Sequence, residues 1–212
     1  MSSVTVIDYD AGNTMSVINA LKSLGTDVTL TNDPKVLLKA EHCIFPGVGA
    51  YVDSMNKLRE YNLIDTIREI VKNDIPFLGI CLGMQMLFDE SHETIGIENS
   101  TKAEGLGILK GTVKGFNEIN GFNLKVPHMG WNSIEFNKSD SRLYKDIPNG
   151  SYVYFVHSFY LDAADRNDVA TVTEYGIKFD SSVEHGNVFG CQFHPEKSGD
   201  IGMQILKNFC NL

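Results

Sequence analysis

The sequence has few features of a nucleic-acid-binding or membrane-bound protein. Lysine and arginine together number 18 against 27 aspartates and glutamates, which gives a formal net charge of −9. Binding to phosphate backbones or anionic lipids needs clustered positive charge, so this balance argues against both partners. No apolar stretch approaches the roughly 20 residues of a membrane span, and the N-terminus lacks the pattern of a signal peptide. We therefore expect a cytoplasmic protein that binds a small molecule or another protein.

Cysteine is also scarce, and its spacing suggests neither a disulfide framework nor a zinc site. No two cysteines form a C-x-x-C pair, and three of the four lie inside apolar runs, where buried thiols are common. No two histidines have metal-ligand spacing such as i, i+4. We therefore expect no metal and no cofactor. The four cysteines are Cys43, Cys81, Cys191 and Cys210.

The pattern of short segments predicts the fold class. In the first half, β-rich runs alternate with helical patterns, which is typical of βαβ units and a mainly parallel sheet. After Gly111 the segments are mostly β-like, with turn residues between them. No linker-like stretch divides the chain, so residues 1–212 are expected to form one domain. The sequence thus predicts a single-domain α/β fold, with a mostly parallel central sheet flanked by helices and an additional mixed or antiparallel β section.

Several individual elements can be predicted within this fold. Asp33 and Pro34 are a good N-cap and first residue for a short helix through Leu38. Residues 75–80 are short, unbroken and apolar, as expected of a central strand that is buried on both faces. An aromatic, β-branched run covers residues 152–160, and an amphipathic helix is predicted over residues 200–209.

The segment GICLG, residues 79–83, places Cys81 between two glycines, where the apolar strand gives way to a helical pattern over residues 82–88. A nucleophile elbow has this form, because flanking glycines avoid collisions in a sharp turn. The dipole of the following helix would favour the thiolate, and adjacent N–H groups could hold an oxyanion. The alternative is that Cys81 is only a small apolar residue at a crowded turn, and spacing alone does not decide between the two.

A thiol nucleophile needs a base, and His194 with Glu196 is the best candidate pair. The two residues follow a strand-like segment, and residues two apart on an extended chain point to the same side. A carboxylate on one ring nitrogen would leave the other free to take the thiol proton. The alternative is a surface histidine that caps the chain before the last helix. For the remaining histidines, structural or surface roles are expected; these are His42, His92, His128, His157 and His185.

The segment PGVG, residues 46–49, follows another predicted strand. It lacks the GxGxxG and Walker patterns of phosphate-binding loops. Its glycines would instead let backbone N–H groups approach a reacting centre, with Val48 as the donor. They would also permit a peptide flip that switches Val48 between donor and non-donor positions.

Taken together, GICLGMQ, PGVG and FHPEKS resemble the class I (triad) glutamine amidotransferases, in the order that this family has them and over nearly the whole chain. Within that class, the segments IDYDAGN, PHMGWNS, YVYFVHSFY and FHPEKS closely resemble the glutaminase subunits of imidazole glycerol phosphate synthases, which act in histidine biosynthesis. The resemblance implies that glutamine is hydrolysed and that the ammonia passes to a separate (β/α)8-barrel cyclase subunit.

The resemblance also implies roles for individual residues. The catalytic triad would be Cys81, His194 and Glu196, and the oxyanion hole would use the backbone N–H groups of Val48 and Leu82. Glutamine would be held by Gly49, Gln85, Glu93, Ser158 and Phe159. The interface with the cyclase would include Asn13, Trp131, Tyr154 and Lys197.

Three alternatives remain open from the sequence. The ammonia could serve another acceptor, as in anthranilate, aminodeoxychorismate or pyridoxal phosphate synthesis, or in surface-sugar amination by a paralogous pair. The same elbow could belong to a stand-alone γ-glutamyl hydrolase that cleaves peptides. The chain could also be an inactive scaffold, although the presence of Cys81, His194 and Glu196 argues against that.

Overall fold

The computed structural model of the protein describes residues 2–10, 14–94 and 100–212. Asn13, one of the predicted interface residues, lies outside these residues. The described strands are β1 (Ser3–Ile7), β2 (Asp27–Thr31), β3 (Cys43–Gly47), β4 (Phe77–Cys81), β5 (Glu90–Ser91), β6 (Ala103–Glu104), β7 (Gly111–Gly115), β8 (His128–Ser133), β9 (Glu135–Phe136), β10 (Tyr152–His157), β11 (Phe159–Ala163), β12 (Val169–Glu174), β13 (Lys178–His185) and β14 (Val188–Cys191). The described α-helices are α1 (Thr14–Ser23), α2 (Pro34–Leu37), α3 (Tyr51–Glu60), α4 (Leu63–Lys72), α5 (Leu82–Gln85) and α6 (Gly199–Phe209). Short 3-10 turns cover Phe116–Glu118, Arg142–Tyr144, Arg166–Asp168 and Pro195–Lys197.

One large mixed sheet organises the chain, and its strand order is β2-β1-β3-β4-β14-β13-β11-β7-β5-β6, with β12 paired to β13 and β9 paired to β12. Neighbouring strands from β2 to β14 are parallel. From β14 onward the pairs through β13, β11 and β7 are antiparallel. A separate two-stranded antiparallel sheet joins β8 and β10. This arrangement confirms the predicted fold class.

Side chains on the two faces of the sheet belong to two apolar clusters. In β1, Val6 packs in one cluster and Ile7 in the other, because successive residues of a strand face opposite sides. Helix α4 contributes Ile67 and Ile70 to the cluster of Ile7, whereas α6 contributes Ile205 to that of Val6. The central strands are therefore covered on both faces, as the unbroken apolar run before Cys81 predicted.

Local signals in the sequence located α2 correctly. The Asp33 side chain accepts a hydrogen bond from the Lys35 N–H at 2.9 Å, and Pro34 occupies the first turn. Both features satisfy or remove backbone donors that a helix start leaves without partners. Among the described residues, no helix is long and apolar enough to cross a membrane.

Two predicted elements differ from the structure. The helix expected over residues 82–88 ends at Gln85, because N–H groups of a later loop bind the next carbonyl groups. The Leu106 N–H donates to the Met86 carbonyl at 2.8 Å, and the Ile108 N–H donates to the Leu87 carbonyl at 2.9 Å. The aromatic run over residues 152–160 is two strands, β10 and β11, which belong to different sheets. Since α5 is only one turn long, its dipole is smaller than that of the predicted helix.

We expect Gly83→Ala to destabilise the fold by about 2 kcal/mol or more, because overpacking against backbone cannot be relieved by a rotamer change. A Cβ at this position would lie 1.9 Å from the carbonyl oxygen of Phe45. Gly186→Asn is the matched control, since Gly186 has φ +54 with nothing within 4 Å of a Cβ, and asparagine tolerates that conformation. Urea unfolding measures both variants, and an unchanged midpoint for Gly83→Ala would contradict the packing described.

Candidate active site

Cys81 ends β4 and starts the turn into α5 with φ 55 and ψ −114. A residue other than glycine held in such a sparsely populated region costs about 1–3 kcal/mol, so the surrounding structure must enforce it. Here β4 is paired on both sides, with Gly47 of β3 opposite Cys81 and Cys191 of β14 opposite Ile80. The thiol therefore stands at the carboxyl edge of the parallel strands, where α/β sheets bind ligands.

His194 follows β14, the strand next to β4, and its Nδ1 lies 2.8 Å from Oε1 of Glu196. The two side chains are only 3% and 2% exposed. The predicted contact is present, but the predicted extended link is not, because Pro195–Lys197 form a 3-10 turn. The Ser198 hydroxyl fixes this turn by donating to the His194 carbonyl at 2.7 Å.

The protonation of His194 depends on two neighbours. Burial alone would lower the pKa of this imidazole, but Cys81 and the Glu196 carboxylate outweigh it and raise the pKa to about 9. Within the described part of the chain, His194 Nε2 is buried without a hydrogen-bond partner. With Nδ1 engaged by Glu196, Nε2 is the atom left to exchange a proton with the thiol or with a ligand.

A cavity of about 320 Å³ lies against Cys81 and brings most of the predicted residues together. Its predicted lining residues are Val48, Gly49, Cys81, Leu82, Gln85, Glu93, Ser158, Phe159 and His194. Pro127, Val156 and His157 also line it. This volume suits a small metabolite rather than a polymer.

Gln85, which lines the cavity, is hydrogen-bonded to two distant parts of the chain. Its Nε2 donates to the Phe159 carbonyl at 3.0 Å and to Oε1 of Gln192 at 2.8 Å. Gln192 in turn directs its Nε2 to the Cys81 sulfur at 3.7 Å. The thiol and the Phe159 segment are thus joined through two buried amides.

Glu93 is the buried carboxylate of the cavity, with 9% of the residue exposed. Burial raises the pKa of this carboxyl above its ordinary value. A bound ammonium group would offset that desolvation, since an opposite charge favours the ionised form. Glu93 is therefore suited to bind the amino group of an amino-acid ligand.

The loop after β3 lies beside the nucleophile because Gly47 and Cys81 are paired in register. The buried Tyr9 hydroxyl donates to the Pro46 carbonyl at 2.8 Å and anchors the start of this loop. Gly49 has φ +103, a conformation that glycine adopts readily. Val48 and Leu82, the two predicted backbone donors, thus flank Cys81 on adjacent segments.

Two of the predicted interface residues, Trp131 and Tyr154, lie side by side on the small sheet. Trp131 in β8 is 55% exposed and lies opposite Tyr154 of β10, with ring centroids 6.2 Å apart. Lys197 is exposed in the 3-10 turn that also contains Glu196. Trp131 and Tyr154 form an aromatic pair on the small sheet, whereas the position of Asn13 lies outside the described residues.

Sequence reasoning missed Gln192 and assigned His157 only a structural or surface role. Gln192 had a detectable signal, since it is a polar residue in the apolar run VFGCQF, two positions before His194. For His157, the only signal in the sequence was its position in an aromatic, strand-like run. The His157 side chain lines the cavity, and its Nδ1 lies 2.7 Å from the Phe159 carbonyl oxygen.

The fold is that of class I glutamine amidotransferases. The sequence model of the family described as Glutamine amidotransferase class-I matches residues 5–212, so the chain belongs to this family. Two solved structures support the fold alone. One is described as a glutamine amidotransferase (21% identity, TM-score 0.71, 99% of each chain covered), and the other as PurLQS from Thermotoga maritima (19% identity, TM-score 0.72, 100% of this chain and 99% of that chain).

Curated relatives are more similar in sequence. The protein named imidazole glycerol phosphate synthase subunit HisH of Caldanaerobacter subterraneus is 46% identical over 206 residues, which are 97% of this chain and 96% of the relative. The protein of the same name from Methanocaldococcus jannaschii is 46% identical over 209 residues, or 99% of each chain.

We expect Glu196→Gln to lower the pKa of His194, because the carboxylate raises it in the native protein. NMR titration of the imidazole Cε1–H signals measures this directly. In the native chain, His194 should titrate near pH 9, whereas burial lowers the pKa of His128 to about 4 and that of His157 to about 3, so these two stay neutral above pH 5. A His194 pKa unchanged by Glu196→Gln would contradict the electrostatic role given to Glu196.

Proposed function

We propose that this chain is the glutaminase subunit of an imidazole glycerol phosphate synthase, with residues 1–212 as one glutaminase domain. The observation that carries the proposal is the 2.8 Å contact between His194 and Glu196 at a cavity that also exposes the Cys81 thiol. The names of relatives that are 46% identical over almost the full chain support the same conclusion. The chain would act in the cytoplasm.

In the proposed reaction, the Cys81 thiolate attacks the side-chain amide carbon of glutamine, and the thiol proton is held on His194 Nε2. The oxyanion that forms accepts hydrogen bonds from the Val48 and Leu82 N–H groups. His194 gives its proton to the departing nitrogen, which leaves as ammonia. Water, deprotonated by the same imidazole, then attacks the γ-glutamyl thioester and releases glutamate and the free thiol.

The amino-acid end of glutamine lies toward Glu93 and the 158–159 segment in this proposal. The Glu93 carboxylate binds the α-ammonium group, and Gln85 keeps Phe159 in place from below. Gly49 leaves room for the backbone to approach the ligand. Since both ends of the substrate are recognised, a shorter or longer amide would misplace its carbonyl carbon.

The acceptor for the ammonia is on another protein. We infer a (β/α)8-barrel cyclase that uses the ammonia to make imidazole glycerol phosphate and an aminoimidazole carboxamide ribotide. The exposed Trp131, which packs on the half-buried Tyr154, is suited to such a partner, because large aromatic residues are common anchors of protein interfaces. Lys197 follows Glu196 directly, so contacts made there adjoin the triad.

Replacing the nucleophile tests the chemistry. We expect Cys81→Ala to reduce glutamine hydrolysis by about 10³-fold or more, since it removes the atom that forms the thioester. An alkylating glutamine analogue should add one adduct to the native chain and none to the variant, as read by intact mass spectrometry. Cys210→Ala is the matched control, because burial raises the pKa of that thiol and it should not react. An adduct on Cys81→Ala would refute the assignment.

Assembly with the cyclase tests the partner and the acceptor. We expect the isolated chain to hydrolyse glutamine slowly, and the rate to rise when the barrel subunit and its ribotide are added. Trp131→Ala should weaken the complex by about tenfold or more, as loss of an interface aromatic anchor does. Val36→Ala is a control on an exposed apolar side chain away from the predicted interface residues, 40% exposed in α2. Calorimetry measures binding, and labelled glutamine identifies the product.

Two outcomes of that assay would favour another function. Fast hydrolysis by the chain alone, with cleavage of γ-glutamyl peptides and no binding to the barrel, would favour a stand-alone hydrolase. Transfer of the label to a different acceptor, such as a sugar precursor, would favour a paralogous pair.

A further inference from the structure

Two buried histidines outside the predicted triad form a continuous hydrogen-bonded line to the cavity. His128 Nδ1 lies 2.9 Å from His157 Nε2, and His157 Nδ1 lies 2.7 Å from the Phe159 carbonyl oxygen. At the other end, Asn132 Nδ2 lies 3.3 Å from His128 Nε2. His128 and His157 are 3% and 6% exposed.

The two ends of this line impose the same direction on every bond. The Phe159 carbonyl can only accept, so His157 carries its proton on Nδ1 and accepts at Nε2. The amide of Asn132 can only donate from Nδ2, and its orientation is fixed because Nδ2 also donates to the Glu174 carbonyl at 2.9 Å while Oδ1 accepts from the Ser133 N–H at 2.8 Å. His128 therefore accepts at Nε2 and donates from Nδ1, which matches His157.

Packing holds both rings in the planes that these bonds need. His128 stacks on Tyr175, with ring centroids 4.0 Å apart, and on Phe155, with centroids 4.8 Å apart. His157 packs against the fully buried Phe116 at 5.4 Å. Burial keeps the pKa of each histidine low enough for the neutral form, which this single-direction line requires.

The line ends on the carbonyl of Phe159, a residue that lines the cavity. The Phe159 oxygen accepts from both His157 Nδ1 and Gln85 Nε2, so both of its lone pairs are used. The Ser158 carbonyl is fixed as well, by the Phe116 N–H at 3.2 Å. Because the C=O and N–H of a trans peptide point in opposite directions, fixing these carbonyls also fixes the N–H groups of Phe159 and Tyr160.

We propose that His157 and His128 are positioning residues for the amino-acid end of glutamine. Both carry their proton on Nδ1, and the line of hydrogen bonds from Asn132 through His128 and His157, here called the relay, holds the Phe159 carbonyl in place. This inference rests on the proposed glutaminase function. The relay orients the 158–159 segment and does not exchange protons with the substrate.

Two amide variants separate this role from simple packing. In His157→Asn the amide nitrogen takes the place of Nδ1 and still donates to Phe159, whereas in His157→Gln it takes the place of Nε2 and does not. We expect His157→Gln to raise KM for glutamine about tenfold or more with a smaller change in kcat, and His157→Asn to recover most of that loss. His42→Gln, at a buried histidine that lies near Ser3 rather than at the cavity, is the control and should leave KM unchanged.

Kinetics are measured on the complex with the cyclase, and imidazole ¹⁵N NMR of the native chain gives the tautomers. The relay requires protonated Nδ1 on both His128 and His157, and an Nε2–H tautomer on either one would overturn it. Equal KM for the Asn and Gln variants would also overturn it. If the native complex hydrolyses no glutamine, the proposed function fails, and the tautomers alone then decide the relay.

Discussion

The site depends on one packing constraint, the contact between α5 and β3. Gly83 lies so close to the Phe45 carbonyl that a Cβ has no room, so a glycine here lets α5 approach β3. Cys81, with φ 55, makes the turn from β4 into α5. Strand β3 continues into residues 46–49, so one contact sets both the thiol and its candidate backbone donor. On the other side of β4, β14 leads to His194. Three adjacent parallel strands, β3, β4 and β14, thus position the candidate backbone donor, the thiol and the His194 imidazole.

Burial of the His194–Glu196 pair has an electrostatic consequence. Removing two charges from water costs free energy, and the cost is recovered only when partners are close and well oriented. The 2.8 Å contact meets that need on one side of the imidazole, while Nε2 is left without a partner in the described residues. The ring is therefore oriented and basic, and it completes its hydrogen bonding only with the thiol or a ligand.

The sequence predicted those features that local patterns determine. The βαβ alternation, the Asp33 cap of α2 and the elbow around Cys81 each depend on neighbours within a few residues. The early end of α5 could not be predicted, because Leu106 and Ile108 supply the donors that replace helical bonds of Met86 and Leu87. Likewise, nothing near residue 158 shows that β10 and β11 join different sheets. The elements were predictable where their hydrogen bonds are local, and not where distant segments complete them.

The polar residues around the cavity follow the same rule. Gln85 forms hydrogen bonds with Phe159 and Gln192, which lie 74 and 107 residues further along the chain. A local sequence pattern therefore cannot predict these pairs. Their partners lie in the wall of the cavity, whereas His194 Nε2 is buried without a partner among the described residues. An apolar ligand would leave this nitrogen unpaired at a cost of about 1–3 kcal/mol. In the proposed reaction the leaving nitrogen of the amide satisfies it, and the Glu93 carboxylate, whose pKa is raised by burial, pairs with the ammonium end of the ligand.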